Sequence, residues 1–225
     1  MTDLVYVAIS FGFVFFVIMV STVLHNRKIL DDEGARKFVH IGVSHWWFFV
    51  FLFENIGFAI IAPIAFILLN YLSYRQNIFK AIERSGNGNL GTVYFPISLL
   101  LLVLFTFLVG EAKTYQYLGA LAMLILGYGD GLAAVIGKKY GKTMLIKGKS
   151  VEGSLVMFLA SALVTAFVLI IYTPAIALPG LFLVLVPLVA TVIEMLTPKG
   201  FDNLTVPLGV LAFSYLYVIL LPLVA

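Results

Sequence analysis

The chain has 225 residues, 62% of them hydrophobic and only 11% charged, with a mean hydropathy of +1.10 and a formal net charge of +3. A soluble domain of this length could not hide that much apolar surface, so the composition predicts an all-α polytopic membrane protein. Cysteine is absent, which excludes disulfides and thiolate metal sites.

Apolar runs of about 17–25 residues mark membrane spans. Eight are predicted, near residues 4–24, 40–53, 56–74, 94–110, 116–136, 153–172, 177–196 and 204–222. The first run lacks a basic leader and a small-residue cleavage site, so it is expected to be a retained span. The second is short and carries His45, Trp46 and Trp47; it is tilted, re-entrant or extended by the amphipathic turn before it. Pro63 and Pro187 fall inside spans, where each removes a backbone donor and is expected to kink its helix. No repeat, low-complexity tract or soluble segment interrupts residues 1–225, which read as one integral-membrane helical domain.

Eight spans sort the basic residues almost completely. One set of loops holds Arg27, Lys28, Arg36, Lys37, Arg75, Lys80, Arg84, Lys138, Lys139, Lys142, Lys147, Lys149 and Lys199; the other holds Lys113 alone. This asymmetry is expected to put the basic loops in the cytosol and both termini outside it, with the protein in the cytoplasmic membrane if its source is prokaryotic. "NLT" at Asn203 matches a glycosylation acceptor, but this topology faces it to the cytosol and removes that reading.

Taken in chain order, the polar residues then gather toward the same face. "ARKFVHIG" (Ala35 to Gly42) sets Arg36, Lys37 and His40 at the interface before the second run, either as anchors or as functional groups. "ERSGNGNLGTVYFP" (Glu83 to Pro96) either covers a ligand or serves only as a connection. Gly127, Gly131 and Ala134 share a helix face suited to close packing, with Asp130 beside it. Asp130 lies roughly two turns inside the fifth span at about 1.5 Å per residue. Glu152 opens the sixth span, Glu194 closes the seventh, and Asp202 with Asn203 opens the eighth.

A carboxylate at mid-helix is disfavoured by roughly 2.5–3.5 kcal/mol on insertion. Four acids near one face therefore imply compensating cations, metal or water. Glu152 and Asp202 also suit helix N-termini, where a carboxylate contributes about 0.3–1 kcal/mol. "GKKYGKTMLIKGKS" interleaves three glycines with five lysines, so backbone amides and ammonium groups can both approach an anion. It twice misses the P-loop spacing: "GKT" at Gly141 would need glycine where Ile136 stands, and "GKS" at Gly148 would need it at Thr143. A Walker-type fold is excluded. A polyphosphate site with Mg2+ held between carboxylates and phosphate oxygens stays open.

In family order, "RKFVHIG" (Arg36 to Gly42), "GDGLAAVIGKKYGK" (Gly129 to Lys142), "KSVEGS" (Lys149 to Ser154) and "FDNLTVPL" (Phe201 to Leu208) resemble the CTP-dependent lipid kinases. That superfamily includes dolichol, phytol and CTP-using diacylglycerol kinases, and is related more distantly to phosphatidate cytidylyltransferases. The resemblance implies CTP as phosphoryl donor, a divalent metal, a long-chain membrane alcohol as acceptor, and no nucleic-acid partner. It carries to Arg36, Lys37, His40, Asp130, Lys142, Lys149, Ser150, Glu152, Gly153, Asp202 and Asn203. In the arrangement it implies, Lys142 and Lys149 neutralise the triphosphate, helped by Arg36 or Lys37, with Ser150, Gly153 and Asn203 also at the nucleotide. Asp130 and Asp202 hold Mg2+ with Glu194 in support, Glu152 and Asn203 orient the lysine loop or the substrate, and His40 or an acid is the base.

"PKGFDNLTVPL" departs from the basic, acid-rich cytidylyltransferase signature and favours kinase over CDP-lipid synthesis. A transporter is disfavoured, since transport sites lie near the midplane. If Asp130 is a metal ligand, Asp130→Asn should remove activity and leave the fold intact; if it partners a lysine, the fold should suffer.

Overall fold

The structure is a computed structural model that describes residues 2–76, 90–109, 113–172 and 174–221. Its described residues are helical, apart from turns and a single β-bridge between Met144 and Ser150. Seven helical segments are long and apolar enough to cross a membrane. They are α1 (Thr2–Asn26); α4 (Ile56–Ala59) joined to α5 (Ile61–Gln76); α6 (Gly91–Leu108); α7 (Gln116–Leu124) continued into α8 (Gly131–Tyr140); α9 (Val151–Tyr172); α10 (Pro179–Leu196); and α11 (Asp202–Leu220).

The second of the eight expected spans is the exception. It is divided into α2 (Asp32–Ser44) and the single turn α3 (Trp47–Val50), neither of spanning length. Asp31 caps α2 by accepting from the Gly34 amide at 2.8 Å, so the helix starts eight residues before the apolar run does. It stops at Ser44, whose hydroxyl turns back to the Ile41 carbonyl at 2.7 Å. The pair nevertheless returns along the whole of α1. His25 meets Asp32 at 2.8 Å, the Ser21 hydroxyl donates to the Ala35 carbonyl, Phe13 packs on Phe49, Tyr6 packs on Phe53, and Asp3 accepts from the Glu54 and Asn55 amides. Seven of the eight expected spans are therefore helices of spanning length, and the second is a broken segment packed along α1.

Trp46 and Trp47 are 1% and 0% exposed, which explains why this short segment is held so deeply. Trp47 donates its indole N–H to the Gln116 carbonyl at 3.0 Å, and its ring lies where a β-carbon on Gly119 would stand, 1.9 Å away. The chain breaks between α4 and α5 at Ile60, which leaves Pro63 in the first turn of α5, where its missing N–H orphans nothing. α10 runs on through Pro187.

The α7–α8 segment is the most buried traverse, and it is not a regular helix. Between α7 and α8, Ile125–Asp130 forms a π-helical turn, a widening that recurs at functional sites. Its glycines let neighbours close on it. A β-carbon on Gly127 would lie 2.2 Å from Ser44 Oγ, one on Gly131 2.7 Å from Ile41, and one on Gly129 2.7 Å from Met157. Thus α2 seats on the Gly127–Gly131 face and α9 on the opposite side. Asp130 emerges where the π turn ends.

Candidate active site

The bundle has two unlike ends. Asp3, Phe51, Tyr172 and Leu178 mark one, where Lys113 donates to the Phe51 carbonyl at 3.0 Å and Tyr217 to the Leu178 carbonyl at 3.0 Å. The other described cations gather at the opposite end with Asp130, Glu194 and Asp202. Lys80, Arg84 and residues 83–89 of the glycine- and asparagine-rich connection lie outside the described residues; its remainder, 90–96, leads into α6.

At this polar end a cavity of about 570 Å³ is walled by α2, α8, the 141–150 loop and the facing ends of α9, α10 and α11. From α2, Lys37 and His40 share a face because they stand three residues apart. Lys37 forms a buried ion pair with Asp130 Oδ2. His40 Nε2 lies 3.4 Å from the same oxygen and donates to the Leu126 carbonyl at 3.1 Å. A carbonyl can only accept, so Nε2 carries the proton and Nδ1 of the neutral ring keeps its lone pair. Arg36 pairs with Glu33 one turn back.

Lys149 enters from the far wall. Its ammonium pairs with Glu194 Oε1 and lies 3.2 Å from Asp202 Oδ2. Burial works against that charge, but Asp202, Asp130 and Glu194 outweigh it and hold the Lys149 pKa above the ordinary lysine range. Asp202 is fixed by backbone: its Oδ1 accepts from the Gly200 amide at 2.9 Å and its own successor's at 3.1 Å. Gly200, at φ 98°, takes the left-handed turn this needs.

The lysine loop is a tight reversal and not an open anion cradle. Leu145 and Val151 amides donate to the Lys149 and Thr143 carbonyls, and Lys147 (φ 53°) and Gly148 (φ 73°) turn the corner. The other four lysines of this stretch have partners or exposure of their own. Lys147 donates to the Leu196 carbonyl at the end of α10, Lys138 pairs with Asp31 at 2.7 Å, Lys139 lies over the Tyr140 ring, and Lys142 is exposed beside Glu152.

Several other expected site residues are placed as follows in the fold. Lys142 and Glu152 do not line the cavity; Glu152 accepts from the Thr143 amide at 3.5 Å, on the outer side of the loop. Ser150 and Gly153 do line it, but their visible work is structural. The Ser150 hydroxyl caps α9 through the Gly153 amide at 3.1 Å, and a β-carbon on Gly153 would lie 3.1 Å from the Ala133 carbonyl. Asn203 faces away from the cavity, into the second one described below. Asp130, Asp202 and Glu194 line one cavity, yet no group of three metal-ligating side chains forms among the described residues, because lysines stand between the acids. Lys138 also lines the cavity, and Glu33, Lys199 and Gly200 do so without having been expected. The only sequence signal for Lys199 and Gly200 was their position just before the "FDN" run.

Glu194 Oε2 is a buried oxygen with no partner among the described residues. With Asp202 beside it, this is an oxygen-donor set that fits Mg2+, which is commonly held by one or two carboxylates plus substrate phosphates and needs no all-protein cage.

A second, apolar cavity of about 180 Å³ lies across α2, between α1, α5 and α6. Val14, Ala62, Phe66, Phe95 and Leu99 give it a hydrocarbon lining, and its polar end is formed by Arg36, His40, Thr92 and Asn203. Arg36 belongs to both cavities.

The chain is similar to the phytol kinase of Synechocystis sp., at 33% identity over 202 residues covering 86% of this chain and 83% of that protein. It is similar to probable phytol kinase 1, chloroplastic, of Oryza sativa subsp. japonica (30% identity; 86% of this chain, 67% of that one). Phytol kinase 1, chloroplastic, of Arabidopsis thaliana is 27% identical, with 86% and 69% covered. No protein-family model matches the chain, and no solved structure matches it.

Proposed function

Since the chain belongs to the phytol kinase family, we propose that it is a membrane lipid-alcohol kinase that transfers the γ-phosphoryl group of CTP to the hydroxyl of phytol or a similar long-chain alcohol. The observation that carries this reading is the pair of cavities, one polar and one apolar, that share Arg36 across α2, with His40 of the apolar one beside Asp130 of the polar one. A kinase for a lipid alcohol needs such a pair, because donor and acceptor differ so completely in polarity.

Phosphoryl transfer asks the protein chiefly for positioning and charge neutralisation. Lys149 from the loop and Lys37 and Arg36 from α2 face the polar cavity from different walls and are suited to the triphosphate oxygens. Asp130 holds Lys37 and, through the same oxygen, stands beside His40, so it sets the position of both. Glu194 and Asp202 would hold Mg2+, which supplies further neutralisation of the phosphates.

In the reaction the alcohol oxygen forms a bond to the γ-phosphorus. The bond from that phosphorus to the β–γ bridging oxygen breaks, and its electron pair leaves on that oxygen with CDP. The hydroxyl proton passes to a base, for which His40 Nδ1 has the lone pair. The positive-inside asymmetry supports a cytosolic polar end, where CTP is available.

The test uses purified protein, phytol, Mg2+ and CTP labelled separately at the γ and α phosphates. Label from the γ position in the lipid is expected. Label from the α position would replace kinase with cytidylyl transfer.

A further inference from the structure

We propose that the apolar cavity between α1, α2, α5 and α6 is the acceptor site, that it takes a single hydrocarbon chain, and that Asn203 Oδ1 receives the hydrogen bond of the lipid hydroxyl. The inference rests on the lipid-alcohol kinase reading and assigns its second substrate a place.

Unpaired polar atoms point to a ligand there. Asn203 is 4% exposed, and its Nδ2 donates to the Gly91 carbonyl at 2.7 Å, which fixes Oδ1 as an acceptor. Oδ1 has no partner among the described residues. Arg36 Nε and Thr92 Oγ1 are also buried without a partner, and Arg36, Thr92 and Asn203 line the same end of this cavity. Buried polar groups are ordinarily hydrogen-bonded. A hydroxyl, one donor with two acceptor lone pairs, can serve an amide oxygen and a guanidinium N–H together in the nucleotide-free complex, and its one proton leaves Asn203 Oδ1 for the base when the phosphoryl group is transferred.

The remaining wall suits the rest of the molecule. Apart from Asn70 and Ser73, the other residues around the cavity are hydrocarbon or aromatic. Phe15 on α1 and Leu69 on α5 are exposed on the outer face of the bundle and also line it, so it opens sideways toward the bilayer between those helices. The Phe15 and Phe66 rings lie 5.9 Å apart at that opening. About 180 Å³ encloses the head end of one chain and leaves its tail in lipid. A diacyl lipid would bring two chains to its hydroxyl and exceeds that space. Continuity with the donor cavity is direct: Arg36 lines both, and His40 lines this one while standing 3.4 Å from Asp130 in the other.

The experiment uses the intact protein in nanodiscs with a photoreactive phytol analogue, and maps the crosslinks by mass spectrometry without nucleotide. Crosslinks are expected on α1, α5 and α6 residues of this cavity, displaced by excess phytol and not by diacylglycerol. In parallel, Asn203→Ala should raise the KM for phytol about tenfold, the loss of one hydrogen bond to a buried group, with the KM for CTP unchanged. Ala62→Phe, which fills the cavity away from its polar end, should do the same. Crosslinks on another face, or displacement by diacylglycerol as effective as by phytol, overturns the proposal whether or not the variants fold. Correct crosslinks without phosphorylation by any nucleotide would sink the kinase reading and leave the binding site standing.

Discussion

Lys37 and Asp130, 93 positions apart in the chain, form an ion pair in which the residues are 3% and 1% exposed. The pair ties the short amphipathic α2 to the π-helical turn of the central traverse. Of the two outcomes expected from the sequence for a neutral residue at 130, it favours the one in which the fold suffers. Removing one partner of a buried pair leaves the other charge unmatched, at a cost of about 3–5 kcal/mol. Asp130→Asn is therefore expected to lose activity and to melt lower in detergent. Lys37→Met combined with Asp130→Leu should recover most of the melting temperature without recovering activity. An Asn variant as stable as the parent would show that the pair contributes little.

Lys149 and Lys142 were equivalent in the sequence and are not equivalent in space. Lys149 stands between Glu194 and Asp202, whereas Lys142 is exposed outside the cavity. Lys149→Gln is expected to lower kcat/KM by about 100-fold or more, as for loss of a cation facing developing charge. Lys142→Gln should stay within about twofold of the parent, as is usual for a surface substitution. Equal losses in the two variants would put the nucleotide outside the cavity.

The raised pKa of Lys149 sets a pH window. A group whose pKa rises on folding contributes stability that is complete below its unfolded value, about 10.4 for lysine, and is lost only as pH rises through the higher folded value. The melting-temperature difference between the parent and Lys149→Gln should therefore be flat from about pH 6 to about pH 9. A difference that shrinks steadily between neutral and mildly alkaline pH would mean that Lys149 titrates there.

Hydropathy made seven of the eight traverses legible, because long apolar runs carry the signal in composition alone. The eighth was ambiguous for a physical reason: α2 is amphipathic, and its burial comes from Trp46, Trp47 and the glycine face at Gly127 and Gly131, which are tertiary facts. The acids at 130, 194 and 202 stood out because charge in an apolar run is costly. Which cation meets which acid was not legible, since Lys37 and Asp130 come from separate segments. Asn203 shows the same limit. Asp202 and Asn203 are adjacent in sequence, but successive helical side chains point about 100° apart, and the two enter different cavities. The polar end of the apolar cavity falls within the "RKFVHIG" and "FDNLTVPL" motifs, but its hydrocarbon wall carries no such signal, being built from ordinary aliphatic and aromatic residues of α1, α2, α5 and α6.

Orientation can be read with single cysteines, since the chain has none of its own. Lys142 and Leu178 are exposed and lie at opposite ends of the bundle. If the basic end faces the cytosol, Lys142→Cys should react with an impermeant thiol reagent only after the membrane is opened. Leu178→Cys should react in intact cells. The reverse pattern would invert the molecule and separate the polar cavity from the cytosol.

Glycine packing gives a prediction independent of catalysis. A β-carbon on Gly119 would lie 1.9 Å from Trp47 Cζ2 and 2.4 Å from Cη2, a rigid ring that is itself fully buried and tied to the Gln116 carbonyl. Neither partner can give way locally, so Gly119→Ala must push α3 and α7 apart, at a cost of about 1–3 kcal/mol for overpacking. Gly12, on α1, has nothing within 4 Å of the same added atom. There, alanine replaces the residue with the greater entropy loss in a helix and should be neutral or stabilising by up to about 1 kcal/mol. Thermal melting of the two variants in the same detergent compares them directly. Gly119→Ala melting no lower than Gly12→Ala would show that Trp47 does not pack against α7, and would remove the support for the broken second traverse.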